Sequence, residues 1–480
     1  MKKKHSAKIL VYLCASKIDI RDNRQSKIVN LKSKVSFSFK INNVSALQTF
    51  QFLRFLCFLL ISIYFTKVPL SGGDIGSWEK LLFISGALSY FWVTGILQSF
   101  LPLSQRNKAF IQHQRIDGKS PELFNAFILL LTFSIAFALL ILLMYGFGTI
   151  HTETPKIPYP GWLILYFIFS NSSALIEHIF LIQNRPLHIF WYGIISTIVQ
   201  ILAVCVPIML GMGIVSAILG LIIANMLRFL YLLVLLFRYA EFKLSMPFIL
   251  NNLYVGYPIM LSALLSGSSQ YVDSFVATIA FDAKDFAIFR YGCKELPFVV
   301  MMTSGLHNAL IPTFSIRKNI PDILAEIKRS SLKQMHILFP LTILVIFFNK
   351  EIFRFLFNPE FDKSAGVFMI YQLMIVSRVL FPQTILIGLK KTHILMWAAI
   401  IQISLNIPLA FFLVHIKYGI NGIALSSCLL HILEKFILMW YNHRELGISP
   451  KAYTPIAWYT FYTALITIVF VLIDRKIIVI

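Results

Sequence analysis

Several charged residues stand where lipid would not ordinarily tolerate them. Inside long apolar stretches the chain places Arg54, Asp273, Arg290, Lys294, Glu295 and Arg378. A charged side chain at mid-bilayer costs at least about 2.5 kcal/mol, so such groups face a bundle interior or a watery cavity. Arg290 and Lys294 are spaced i and i+4 and project from one side of one helix. Asn308 follows Arg290 by a whole number of helical turns and extends that polar line. Two chemistries fit this pattern. One is an internal ion pair joining Glu295 or Asp273 to a neighbouring cation. The other is a cationic, water-filled site for an anion.

The elements that must position these groups are spanning helices. Of the 480 residues 58% are hydrophobic and only 13% charged, whereas soluble domains are nearer a quarter charged. The composition is that of a polytopic membrane protein. A net charge of +22 would point to nucleic acid in a soluble chain, and no nucleic-acid partner is expected here. The cations lie mainly in short loops between apolar runs, as orientation signals do. The five cysteines, Cys14, Cys57, Cys205, Cys293 and Cys428, have neither metal-ligand spacing nor the pattern of a disulfide framework.

A spanning helix needs about 20 mostly apolar residues. That length places thirteen helices near 45–66, 81–103, 122–150, 161–183, 187–211, 213–237, 249–280, 287–313, 335–357, 364–388, 393–416, 418–440 and 454–474. Lys and Arg then number 27 on one side and 10 on the other, which puts the amino terminus in the cytoplasm. Arg228 and the Glu434–Lys435 pair sit within a few turns of an interface, close enough to snorkel to it. The cationic loop 315–333 has Ile320, Ile323, Leu324 and Ile327 at helical spacing, which suits an amphipathic helix on the cytoplasmic surface.

The chain also repeats. A shift of 206 positions lays Arg185 on Lys391, Trp191 on Trp397, Gln200 on Asn406 and Gly213-Ile214 on Gly419-Ile420. Six helices per repeat is an even number, so both halves enter the membrane from the same side, with a site expected between them. The expected fold is therefore all-α. Two six-helix lobes in parallel repeat surround a central cavity, with one extra carboxy-terminal helix. The domains are a basic cytoplasmic tail 1–44, a first lobe 45–237, a linker 238–248, a second lobe 249–440, and a connector and final helix 441–480.

The second half resembles a known family. Tyr257-Pro258-Ile259-Met260, Asp273, Phe289-Arg290-Tyr291 and Leu310-Ile311-Pro312 look like the opening of the carboxy-terminal lobe of bacterial polysaccharide flippases. Phe357-Asn358-Pro359-Glu360-Phe361 is similar to their short external segment before the tenth helix. Leu405-Asn406-Ile407-Pro408 and Tyr418-Gly419-Ile420-Asn421-Gly422 resemble their eleventh helix and the turn after it. The family is the O-antigen and capsule branch of the multidrug, oligosaccharidyl-lipid and polysaccharide exporter superfamily. The likeness covers about 45–440 and is clearest from 250 to 440.

This resemblance implies a transporter rather than an enzyme. It would move a polyprenyl-pyrophosphate-linked oligosaccharide across the bacterial inner membrane by alternating access, for O-antigen, lipopolysaccharide or related surface polysaccharide biosynthesis. It implies Arg54, Arg290, Lys294 and Arg378 as holders of the pyrophosphate. Asp273 and Glu295 would pre-position them or carry a coupling proton or sodium ion, and no cofactor is expected. Membrane lipids, and polysaccharide polymerase and ligase machinery, are the implied partners. A cation-coupled multidrug exporter is the nearest alternative, but four cations against two acids disfavour it. A membrane glycosyltransferase or polymerase is a further alternative. Glu177 and His178 do not supply its acid–base pair, because adjacent helical residues diverge. No GxxxxGK[ST] loop marks an ATP site.

Overall fold

In hydrocarbon a backbone must satisfy its own N–H and C=O groups, which leaves the helix as the solution for a chain of apolar runs. The computed structural model describes residues 43–111, 119–150, 157–311, 314, 319–389, 391 and 393–475, and no β-strand occurs among them. All but the last two residues of the expected tail lie outside the described residues. So do residues 315–318 of the basic loop.

The first half contains α1 (Asn43–Lys67), α2 (Gly72–Ile111), α3 (Pro121–Ile150), α4 (Pro160–Ser173), α5 (Leu175–Ile182), α6 (Pro186–Met209) and α7 (Gly213–Tyr239). The second opens with α8 (Met246–Ala280), α9 (Ala283–Gly292), α10 (Pro297–Leu310), α11 (Ile320–Phe347) and α12 (Asn349–Leu356). It continues through α13 (Asp362–Gln372), α14 (Ile375–Arg378), α15 (Pro382–Gly388), α16 (His393–Leu413) and α17 (Ile420–Leu446). A short α18 (Pro450–Tyr453) and α19 (Ile456–Asp474) close the described chain.

Each expected span coincides with helix, but they are not thirteen uninterrupted crossings. Among the described residues ten helices are long and apolar enough to cross a membrane alone. The pair Pro359–Arg378 and Pro382–Gly388, bent by 47°, makes an eleventh. The other two expected spans correspond to α8 and to the broken pair α9–α10. That break falls at Cys293–Leu296 and contains Lys294 and Glu295, so Arg290, in the last turn of α9, and Lys294 do not share one helix as their spacing suggests; Pro297 starts the new helix.

The basic loop also departs from expectation. Instead of a separate helix on a membrane surface, residues 320–333 of it form the first half of α11, continuous with the ninth span. Ile323, Leu324 and Ile327 are buried in one cluster with Phe339, Val379 and Tyr453. Apolar contact inside the bundle therefore removes from water the face that periodicity assigned to lipid headgroups.

The repeat has a structural counterpart. The helices α7 and α17 are both 27 residues long. Each follows a reversal at a glycine with positive φ, Gly213 at 76° and Gly419 at 52°, a conformation that costs glycine nothing and other residues about a kcal/mol or more. Between α6 and α7 the backbones touch. A Cβ on Gly220 would lie 1.8 Å from the Ala203 carbonyl oxygen. Gly220→Ala is therefore expected to force the two helices apart and cost about 1–3 kcal/mol, read as a lower unfolding midpoint of the detergent-solubilised protein.

Across the two halves, α2 runs along α8 and α9. Tyr90 and Tyr271 stack at 4.4 Å, and Ser99 donates to Asn252 Oδ1 at 3.1 Å. By contrast α1 packs on α6, where Phe50 stacks on Tyr192 at 5.6 Å. Its last residue, Lys67, reaches across the halves and donates to the carbonyls of Phe355 (3.2 Å) and Phe357 (3.0 Å).

Candidate functional site

A cavity of about 900 Å³ lies between α1 and the second half. One wall is a stripe of α1 that includes Leu47, Gln51, Phe52 and Phe55, the spacing at which successive turns share a face. The opposite wall comes from α8, the end of α9, the α9–α10 break, α10, α13, α14 and α17. It carries Arg290, Lys294, Glu295, Arg378, Asp273, Tyr371 and His431. Five of the six charged residues singled out from the sequence thus share one chamber. The sixth does not. Arg54 lies on a smaller pocket of the first half, with its guanidinium 5.9 Å from the Phe50 ring.

Arg290 ends α9. Its Nη1 donates to Ser274 Oγ at 3.2 Å, and its Nε stands 3.6 Å from Glu79 Oε2 without a hydrogen bond. Glu79 is a buried carboxylate of α2 that also accepts from Ser62 at 3.3 Å. The pair thus joins the two halves of the chain. Arg378 is held more firmly. Its Nε and Nη2 donate to the two oxygens of Glu295 at 2.8 and 2.5 Å, the paired geometry that suits guanidinium and carboxylate. The ion-pair reading of the sequence therefore holds for Arg378, with Glu295 as its partner.

Lys294 differs. Its ammonium lies 5.5 Å from the Tyr291 ring, and among the described residues it has no carboxylate within ion-pair distance. Asp273, 5% exposed, is fully engaged. Tyr371 and Ser427 donate to it, and Asn406 Nδ2 donates to its Oδ1 at 2.9 Å. Asn406 thus bonds a neighbouring helix. Ser426 donates to the Asn406 oxygen at 2.5 Å and fixes which way the amide faces.

With Arg54 elsewhere, the chamber lining has three basic side chains, Arg290, Lys294 and Arg378, against the acids Asp273 and Glu295, and Glu79 stands behind Arg290 outside the lining. The expected excess of cations over acids narrows from four against two to three against two. Two other expectations also change. Arg228 does not snorkel; it turns inward and donates to Ser196 O at 3.0 Å and Asn225 Oδ1 at 3.3 Å. Lys435 is buried and pairs with Glu434 at 3.4 Å. His178 bonds back to the Ala174 carbonyl at 3.1 Å, as a packing residue does. The side chain of Asn308 lies outside the described ones.

Sequence reasoning missed Glu79 because the apolar run was taken to begin at residue 81. The signal was present in Ser71-x-x-Asp74. Ser71 Oγ accepts from the Asp74 N–H at 3.1 Å and caps α2 one residue before it starts, as a Ser followed three residues later by an acid does. Tyr371 and His431 lacked any such local signal.

An all-helical chain whose buried ion pairs surround a chamber between two related halves has the architecture of a membrane transporter. A family model described as "Polysaccharide biosynthesis protein" matches residues 92–366, more than half of the chain, and the protein belongs to that family. Among solved structures it is similar to the lipid II flippase MurJ in an inward closed conformation, at 18% identity over 90% of this chain and 93% of that one, with a TM-score of 0.60. It is also similar to an inward-facing multidrug resistance MATE family transporter of the MOP superfamily, at 14% identity over 85% and 98%, with a TM-score of 0.61. A transporter from Pyrococcus furiosus with a binding pocket of reverse polarity is 14% identical over 85% and 96%, with a TM-score of 0.54. No curated protein matches the sequence significantly.

Proposed function

We propose that this protein is a flippase. It turns a polyprenyl-pyrophosphate-linked oligosaccharide from the cytoplasmic to the outer face of the bacterial inner membrane, with its amino terminus in the cytoplasm, and so serves surface polysaccharide biosynthesis such as O-antigen or capsule. The observation that carries this reading is Lys294. Among the described residues its ammonium has no carboxylate partner, and it lines a chamber of about 900 Å³, within the range that encloses drug-sized ligands. Arg290, in the last turn of α9, lines the same chamber. Across the chamber α1 presents Leu47, Phe52 and Phe55. One wall thus suits a phosphate and the other a hydrocarbon, which are the two ends of a lipid-linked sugar.

In this reading Lys294 and Arg290 receive the pyrophosphate, and Arg378 borders the space for the sugars while Glu295 fixes its fork. Glu79 positions Arg290, and Asp273 orders Tyr371, Asn406 and Ser427 or takes part in proton or sodium coupling. No step breaks a covalent bond, so the protein acts as a transporter and not an enzyme. Polymerase and ligase partners would act on the delivered product.

Reconstitution tests this. Liposomes containing the protein should move a fluorescent lipid-linked oligosaccharide between leaflets, and protein-free liposomes should not; equal rates in both would end the proposal. The pairing of Arg378 with Glu295 and of Arg290 with Glu79 leaves Lys294 as the one unpaired cation of the lining among the described residues, which keeps a second reading, a multidrug exporter coupled to a cation. Increased drug tolerance in an expressing strain, without lipid movement in liposomes, would favour it.

A further inference from the structure

The first half contains its own polar pocket, which the transport reading does not use. It has a volume of about 20 Å³, enough for one water or one monatomic ion. Arg54 of α1, Ser170 of α4, Thr197 and Gln200 of α6, and Asn225 and Arg228 of α7 line it. Gln200 is 2% exposed, and its Nε2 donor has no partner. Neither guanidinium forms an ion pair among the described residues, and Arg228 is held only by the neutral oxygens of Ser196 and Asn225. Glu177, the buried carboxylate of this half, is not part of the lining.

The repeat shows what is missing. The shift of 206 positions lays Gln200 on Asn406, Asn225 on His431 and Arg228 on Glu434. In the second half the Asn406 amide donates to the Asp273 carboxylate at 2.9 Å. In the first half the equivalent amide opens onto a pocket that Arg54 and Arg228 also line. The amide donor is duplicated and its acceptor is not, while Glu177 acts on both guanidinium groups from outside the lining. A buried donor without an acceptor is costly in a low-dielectric region, and an anion of suitable size would satisfy it.

We propose that this pocket binds a monatomic monovalent anion of the chloride class, held by Arg54, Arg228 and the Gln200 amide where the second half has Asp273. The site does not depend on what the chamber transports. The test is thermal unfolding of the purified, detergent-solubilised full chain in sodium chloride against sodium gluconate at equal ionic strength. A ligand that binds only the folded state raises the midpoint in a saturable way, here on the order of 2 °C for a moderate affinity. The wild type should show this rise, Gln200→Leu and Arg228→Gln should lose it, and Lys294→Ala, which alters the central chamber, should keep it. A midpoint indifferent to the anion, or a response lost only in Lys294→Ala, would overturn the proposal. If the pocket variants do not fold, bromide soaked into crystals of the wild type decides. An anomalous peak between Arg54 and Arg228 supports the site, and its absence at saturating bromide refutes it.

Discussion

Lys294→Ala is expected to slow transbilayer movement of a lipid-linked oligosaccharide by about tenfold to a hundredfold, the equivalent of one hydrogen bond to a charged group at about 1.5–3 kcal/mol. The fold should survive. Lys294 has no carboxylate to strand, and its side chain ends in an open chamber, so its removal leaves no buried charge without a partner. Arg290→Ala provides the contrast. It would leave Glu79, whose side chain is 6% exposed, without its cation, and so lower stability as well as transport. Flipping rates in proteoliposomes beside unfolding midpoints of the same samples separate the two. If Lys294→Ala transported at the wild-type rate, the ammonium would have no part in holding the headgroup.

The largest loss of stability is expected at Asp273. Replacement with alanine strands the buried Tyr371 and Ser427 hydroxyls and takes one of two acceptors from the Asn406 amide, which keeps Ser427 Oγ at 3.0 Å. A buried polar group that loses its partner costs about 1–3 kcal/mol. With two hydroxyls stranded, the unfolding midpoint should fall further than for any other substitution around the chamber. Asp273→Asn keeps an oxygen as acceptor and should recover part of that loss. A neutral Asp273→Ala would mean that water fills the gap and satisfies the donors.

The sequence made the membrane class, the helical stretches and the clustering of charge in the second half legible, because each depends on local composition or on spacing along one helix. Arg290 and Lys294 show both sides of this: their closeness in sequence brings them to one chamber, but the helix that i and i+4 spacing presumes ends at Gly292, between them. Partnerships across helices were less legible. Glu295 and Arg378 lie 83 positions apart, and nothing local says that they meet while Lys294, adjacent to Glu295, is left out. Arg54 shows the other limit. It stands two turns after Leu47 and about 20° from it around the helix, at the edge of the stripe of α1 that faces the chamber, so the packing of α1 on α6, and not spacing, sends it to another pocket.

The seam between α2 and the second half has a mechanical corollary. Stacked tyrosines, the Ser99–Asn252 bond and the Glu79–Arg290 pair fasten that helix to α8 and α9 at several heights. The α1 wall, by comparison, is strapped to the far half among the described residues by the Lys67 ammonium resting on two carbonyls. If the chamber changes its width during the proposed transport, the panel on this lighter fastening is the one expected to swing, which would make the apolar wall, and not the charged one, the door.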